Sequence, residues 1–186
     1  MCAGYLKFLC LPPEFASKLD NIYLTLLFES RERKEFGNMA VFRPLLRELM
    51  ELEDKPLMMT TTGYLIFVRC FVFHGDNLGI HETLGFVESF VANFPCRMCK
   101  IVKEDLKIAS EENPLLMRTV ENYEADCAID CVSETGINSK CIFNELNNYH
   151  CITNASSDVM HDIDEGVSRY IMSFLILEFC KKNTSI

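Results

Sequence analysis

Tyr64-Leu65-Ile66-Phe67-Val68-Arg69-Cys70-Phe71-Val72-Phe73-His74-Gly75-Asp76-Asn77 is apolar on both parities over 64–73, then stops at a Gly-Asp-Asn turn. Apolar side chains on both parities, rich in β-branched and aromatic residues, predict a central strand covered on both faces, and with it an α/β fold. Open α/β sheets present their chemistry at strand ends. Asp76 is therefore a candidate ligand for a hard divalent cation. The same residue also reads as an ordinary turn aspartate, because Gly-Asp-Asn is common loop chemistry.

The pattern on either side supports alternating elements. Upstream, 4–11 reads as a strand stopped by Pro12 and Pro13, which cannot donate to a ladder. The run 22–28 reads as a strand or as the end of a helix begun near Ser17. Leu45, Leu46, Leu49 and Leu52 recur at helical spacing with charges between them, and Pro44 suits a first turn, which predicts an amphipathic helix over 44–53. Downstream, Ile80, Leu84, Val87 and Val91 predict a helix over 79–92. Between Lys100 and Asn148 the apolar signal weakens, so this stretch reads as an insertion that needs a staple. From Asp158 to about Lys181 a long helix is predicted, with Met160, Ile163, Val167, Tyr170, Ile171 and Phe174 on one stripe. Asp158, His161, Asp162 and Glu165 lie on the opposite side.

Cys96 and Cys99, in Pro95-Cys96-Arg97-Met98-Cys99-Lys100, have the spacing of half a tetrahedral zinc site. Two thiolates need two more ligands. Cys127, Cys131, Cys141, His150, Cys151 and His161 lie downstream, with Cys141 and His150, or His161, as preferred partners. Two reduced thiols or a redox pair are the competing readings. The acids Asp158, Asp162 and Glu165 suit the positive end of a helix, which does not account for His161 among them. His74 and His81 bracket Asp76 and read as ordinary surface or core histidines.

Composition narrows the class. With 186 residues, 49% apolar and 24% charged, the chain has the make-up of an ordinary globular domain. Its formal net charge of -9, from 18 Lys and Arg against 27 Asp and Glu, argues against a broad positive surface for gripping phosphates. There are ten cysteines, but the start has a lysine in its apolar part and no basic leader, which makes a poor signal peptide. Reduced thiols in the nucleus or cytoplasm are expected, not a secreted disulfide framework. The Asn154 and Asn183 acceptor triplets are then chance matches. No membrane association is expected, since the run 57–73 is interrupted by threonines, a glycine and Arg69.

The order of these pieces resembles the CACTA (En/Spm) class of cut-and-paste DNA transposases. The pieces are Leu11-Pro12-Pro13, Pro44-Leu45-Leu46-Arg47-Glu48-Leu49, the strand into Gly75-Asp76-Asn77, Gly85-Phe86, Pro95-Cys96-Arg97-Met98-Cys99 and Asp158-Val159-Met160-His161. The resemblance implies a ribonuclease-H-like core, a small mixed sheet with flanking helices, carrying a cysteine-containing insertion. It implies three acids holding two Mg²⁺ ions for in-line attack on a phosphodiester. Asp76 matches the second acid, Asp158 and His161 match an Asp-x-x-His signature, and Cys96 and Cys99 match the cysteine pair after the second acid. On this likeness 1–95 is core, 96–157 a zinc-stapled insertion with Cys96, Cys99, Cys141 and His150 as metal residues, and 158–186 a long helix of the core.

The departures set the functional expectation. Nothing before Gly4 supplies the first acid, and neither Glu165 nor Glu178 is an assured third. With one acid of three, Mg²⁺ should bind poorly and no DNA should be cut. The chain therefore reads as a fragment or derivative of a transposase, inactive by itself, with weak or no DNA binding. An exposed sheet edge would invite homo-oligomers or association with a parent transposase. The alternative is a zinc-stabilised protein-interaction module without DNA chemistry. A thiol redox protein using Cys96 and Cys99 is the third reading.

Overall fold

The structure, a computed structural model, describes residues 1–154, 156 and 158–183; the Asn183 acceptor triplet runs into 184–186, outside the described residues. The chain is mixed α/β, with two small antiparallel sheets of two strands each. It divides into two compact units. One comprises Met1–Cys70 with Ile142–Asn148, the other Phe71–Cys141 with Tyr149–Ile186.

In the first unit β1 (Cys2–Lys7) pairs antiparallel with β2 (Ile22–Phe28), with a register shift between Gly4 and Tyr5. Between them Pro13 opens the short helix α1 (Pro13–Ala16), where its missing N–H costs nothing. Helix α2 (Ser30–Asp54) begins earlier than the leucine spacing predicts. Its start is set by a capping box in which Glu29 and Glu32 each accept the other's backbone N–H. Pro44 lies inside this helix and not in its first turn, and the kink falls at Gly37, whose φ is +79°. The buried face carries Phe42, Leu46 and Leu49. Phe42 packs on Phe28 at 5.5 Å and on Phe143, from the Ile142–Asn148 segment, at 5.7 Å between ring centroids.

The expected central strand over 64–73 does not form. Only β4 (Leu65–Ile66) is extended in a ladder, paired with β3 (Leu57–Met58) around a turn at Gly63. Leu65 is 58% and Phe67 61% exposed, and Tyr64 and Phe71 are exposed too. A two-faced apolar pattern states that side chains would gain from burial. It does not supply the neighbouring strands that burial on both faces requires.

The second unit is helical. Helix α3 (Asn77–Leu84) is shorter than the predicted 79–92, because Gly85 adopts the left-handed conformation that ends it. Helices α4 (Lys103–Leu106), α5 (Val120–Ile129) and α6 (Val132–Thr135) follow. A π-helical stretch, Val159–Val167, then runs into α7 (Ser168–Asn183). The long C-terminal helix is thus present, but its apolar stripe is not covered: Tyr170 is 77% and Phe174 63% exposed. No helix among the described residues is long and apolar enough to cross a membrane.

The stretch that read as a weak insertion holds much of this unit's core. Thr119 and Asn122 form a capping box that starts α5, and Tyr123, on its first turn, is fully buried. Phe86, Cys141 and Cys151 lie against it, and Leu84, Ile137 and Tyr149 are buried too, all six at 5% exposure or less. Arg118 is buried among them. It donates to Asp126 at 3.1 Å and to the Thr135 carbonyl at 2.6 Å, and lies 5.6 Å from the Phe86 ring centre. Lys100 reaches the other Asp126 oxygen at 2.8 Å.

Candidate functional site

Asp76 stands where the sequence places it, just after the apolar run and just before α3. Its carboxylate accepts the Gly79 N–H at 2.6 Å, so it is the N-cap of α3. The turn-aspartate reading therefore has direct geometric support. The next residue, Asn77, faces in another direction. Its amide nitrogen donates to Asp162 in the π-helical stretch, 85 residues further along the chain.

This contact belongs to a polar cluster drawn from three separated segments. The Asp158 N–H donates to the second Asp162 oxygen at 3.0 Å. The Asp158 carboxylate accepts the Met160 N–H at 3.0 Å and lies 2.6 Å from His161 Nδ1. The Ser156 hydroxyl donates to the Phe73 carbonyl at 2.9 Å, so the 3.3 Å contact from His74 Nδ1 to that oxygen makes His74 the donor. The other ring nitrogen of His74 is 3.9 Å from Asp158. From the cysteine knuckle, the buried Arg97 donates to Asn77 Oδ1 and to the Ser156 carbonyl, the latter at 2.5 Å.

The electrostatics follow the hydrogen bonds. His161 is held above the ordinary imidazole range, first by its bond to Asp158 and then by the negative charge of Asp158, Glu165 and Asp76. The same bond, aided by the Met160 and His161 amides, holds Asp158 below the ordinary carboxylate range. A raised histidine stabilises the fold at pH below its unfolded value and loses that effect as pH rises through the folded one. A lowered aspartate does the reverse on the acid side. The Asp158–His161 pair is thus fully charged between those two limits.

Five of the ten cysteines form two groups. Cys96 and Cys99 touch each other, and Arg118, whose Nε donates to the Cys96 carbonyl at 3.4 Å, stands beside both. Burial pushes the Cys99 thiol up. Cys141 and His150 lie elsewhere, around Tyr123. The Tyr123 hydroxyl accepts the Cys141 N–H at 2.8 Å and bonds the Cys127 and Cys151 thiols, while His150 packs edge-on to its ring at 5.4 Å. His150 Nδ1 accepts the Ile152 N–H, and Nε2 faces Glu124 at 3.7 Å. Burial pulls the His150 value down, against the pull of Glu124.

Among the described residues, no three His, Cys, Asp or Glu side chains are grouped to hold a metal ion. Each carboxylate of the Asp76, Asp158 and Asp162 cluster already accepts from protein donors. Cys96 and Cys99 offer two of the four ligands of a zinc tetrahedron. Sequence reasoning found Asp76, Asp158, His161 and Asp162 but passed over Arg97, Asn77 and Ser156. Only Arg97 carried a signal, a cation enclosed in a Cys-x-x-Cys knuckle. No protein-family model matches the chain, nor does any curated protein sequence or solved structure.

Proposed function

We propose that the chain is a fragment of, or derives from, a cut-and-paste DNA transposase of the CACTA type. On this reading it keeps the middle of a ribonuclease-H-like core and is inactive as it stands. One observation carries the reading. Three motifs that resemble that family, Gly75-Asp76-Asn77, the Cys96–Cys99 knuckle and Asp158-x-x-His161, are joined by hydrogen bonds through Asn77, Arg97, Ser156 and Asp162. A transposase core needs that convergence, because in-line phosphodiester attack requires acids from distant segments at one place. Only one match to the acid triad, Asp76, is present, so no Mg²⁺ step is assigned to the chain.

Two measurements test this. Nicking of supercoiled DNA with Mg²⁺ should not exceed that of Asp76→Asn, a substitution chosen because asparagine keeps the helix cap. Mg²⁺-dependent nicking that Asp76→Asn abolishes would show that the chain is an active nuclease. Sequencing transcripts across the locus should reveal flanking segments, intact or decayed, that carry the first and third acids. Flanks with no trace of either would remove the transposase reading.

The alternative, a zinc-stabilised interaction module, draws on the mutual contact of Cys96 and Cys99. It expects about one zinc per purified chain, lost in Cys96→Ser. Protein that is folded and free of zinc assigns the pair to reduced thiols.

A further inference from the structure

We propose that Arg97 is a positioning residue, the strut that fixes the Asp76 turn and the Asp158-x-x-His161 turn to each other. The assignment rests on reading these two turns as one site, and does not depend on surviving nuclease chemistry. Arg97 is 7% exposed, and its Nε has no hydrogen-bond partner among the described residues, so its bonds to protein run through the two terminal nitrogens. One of these holds Asn77 Oδ1, at the first residue of α3; the other holds the Ser156 carbonyl, two residues before Asp158.

The bond to Asn77 also sets polarity. With Oδ1 occupied by a guanidinium, the Asn77 amide must present Nδ2 to Asp162, and it does. Asp162 in turn holds the Asp158 N–H, so the register of Asp158 is relayed from Arg97 through one amide and one carboxylate. Ser156 closes the loop on the other side, since its hydroxyl donates to Phe73 and accepts from His74. A guanidinium is suited to this task because its planar fork serves two acceptors in fixed directions; an ammonium does not.

The test is spectroscopic. In Arg97→Ala the imidazole ¹⁵N signals of His74 and His161, read at one fixed pH, are expected to move to those of unbonded rings. Exchange protection of the Asp158 amide should fall about tenfold, the equivalent of one charged hydrogen bond, while amides of α5 change less than twofold. Added methylguanidinium should restore the signals, and Arg97→Lys should not. A second variant, Asn77→Asp, keeps Arg97 but places two carboxylates face to face; it should lose Asp158 protection and retain the His74 signal. Wild-type histidine signals in Arg97→Ala would overturn the proposal, as would an equal loss of protection through α3 and α5. Loss of transposase ancestry by the sequencing test would leave these outcomes untouched, so the two readings fail separately.

Discussion

Arg118→Ala is expected to destabilise the unit containing Phe71–Cys141 by about 3–5 kcal/mol, the usual effect of removing one partner of a buried ion pair. Its side chain is wholly buried and Asp126 is 4% exposed. Truncation strips Asp126 of one of its two cations and leaves the Thr135 carbonyl without its guanidinium donor. Burial already pulls the Arg118 value down, and Asp126 opposes that shift, so the charge is maintained at a desolvation cost that the partners offset. Lys100→Ala should cost less, about 1 kcal/mol, because that ammonium is part-exposed and solvent competes for it. Urea unfolding read by amide exchange in α5 gives both numbers. Arg118→Ala within about 1 kcal/mol of wild type would mean that the network does not hold this core together.

That network also marks a limit of the sequence. Arg118 and Asp126 are eight residues apart with no motif around them, and a buried ion pair has no periodic signature. What could be read was local. A strand near the start, regular structure over 22–28 (strand or helix end, found as a strand), an acid at the end of the 64–73 run and a long helix after Asp158 all depend on nearest neighbours in the chain. They appear in the structure within a few residues of expectation, whereas the first strand ends at Lys7 and not at the prolines expected to stop it.

Where expectation failed, the deciding partner was distant or the signal lay outside hydropathy. The run 64–73 has the composition of a central strand, but strand formation is settled by adjacent strands, and only Leu57–Met58 pairs with it. The 101–148 stretch looked coreless because its buried residues are either single, such as Tyr123, or in runs of only three, Thr135–Ile137 and Cys141–Phe143, divided by exposed polar residues. The capping pair Thr119 and Asn122 was the legible sign of α5, since a hydroxyl three residues before an amide is a helix-start signature even where the apolar period is faint. For the site, the acids were visible as residue types. Of the residues that join them, Arg97 had only its place in the cysteine knuckle to mark it, and Asn77 and Ser156 became visible only when the fold had brought three segments together.

Gly85 is the position where the smallest substitution should do the most harm. Its φ of +82° ends α3 in the left-handed region, where a side chain costs about 1–2 kcal/mol. A Cβ there would also overlap the Ser139 carbonyl oxygen and stand 2.9 Å from the Ser139 hydroxyl. The backbone cannot retreat easily, because the Asn138 and Ser139 amides both donate to the Gly85 carbonyl, at 2.8 and 3.1 Å, and Phe86 is bridged to Ile137. Overpacking against fixed backbone adds about 1–3 kcal/mol, so Gly85→Ala is expected to cost about 2–5 kcal/mol. Gly136→Ala should behave alike: its φ is +72° and its Cβ would press on the Phe94 carbonyl. Gly75→Ala is the internal control, since a Cβ there meets only Ile80 at 3.7 Å and no unusual φ is imposed; a change within about 0.5 kcal/mol is expected. Equal stability of the Gly85 and Gly75 variants in urea unfolding would show that the 85–139 crossing is looser than its hydrogen bonds describe. A large loss confined to Gly85→Ala and Gly136→Ala would place the rigid point of this unit at the Phe86–Ile137 bridge, between the turn that ends α3 and the turn that ends α6.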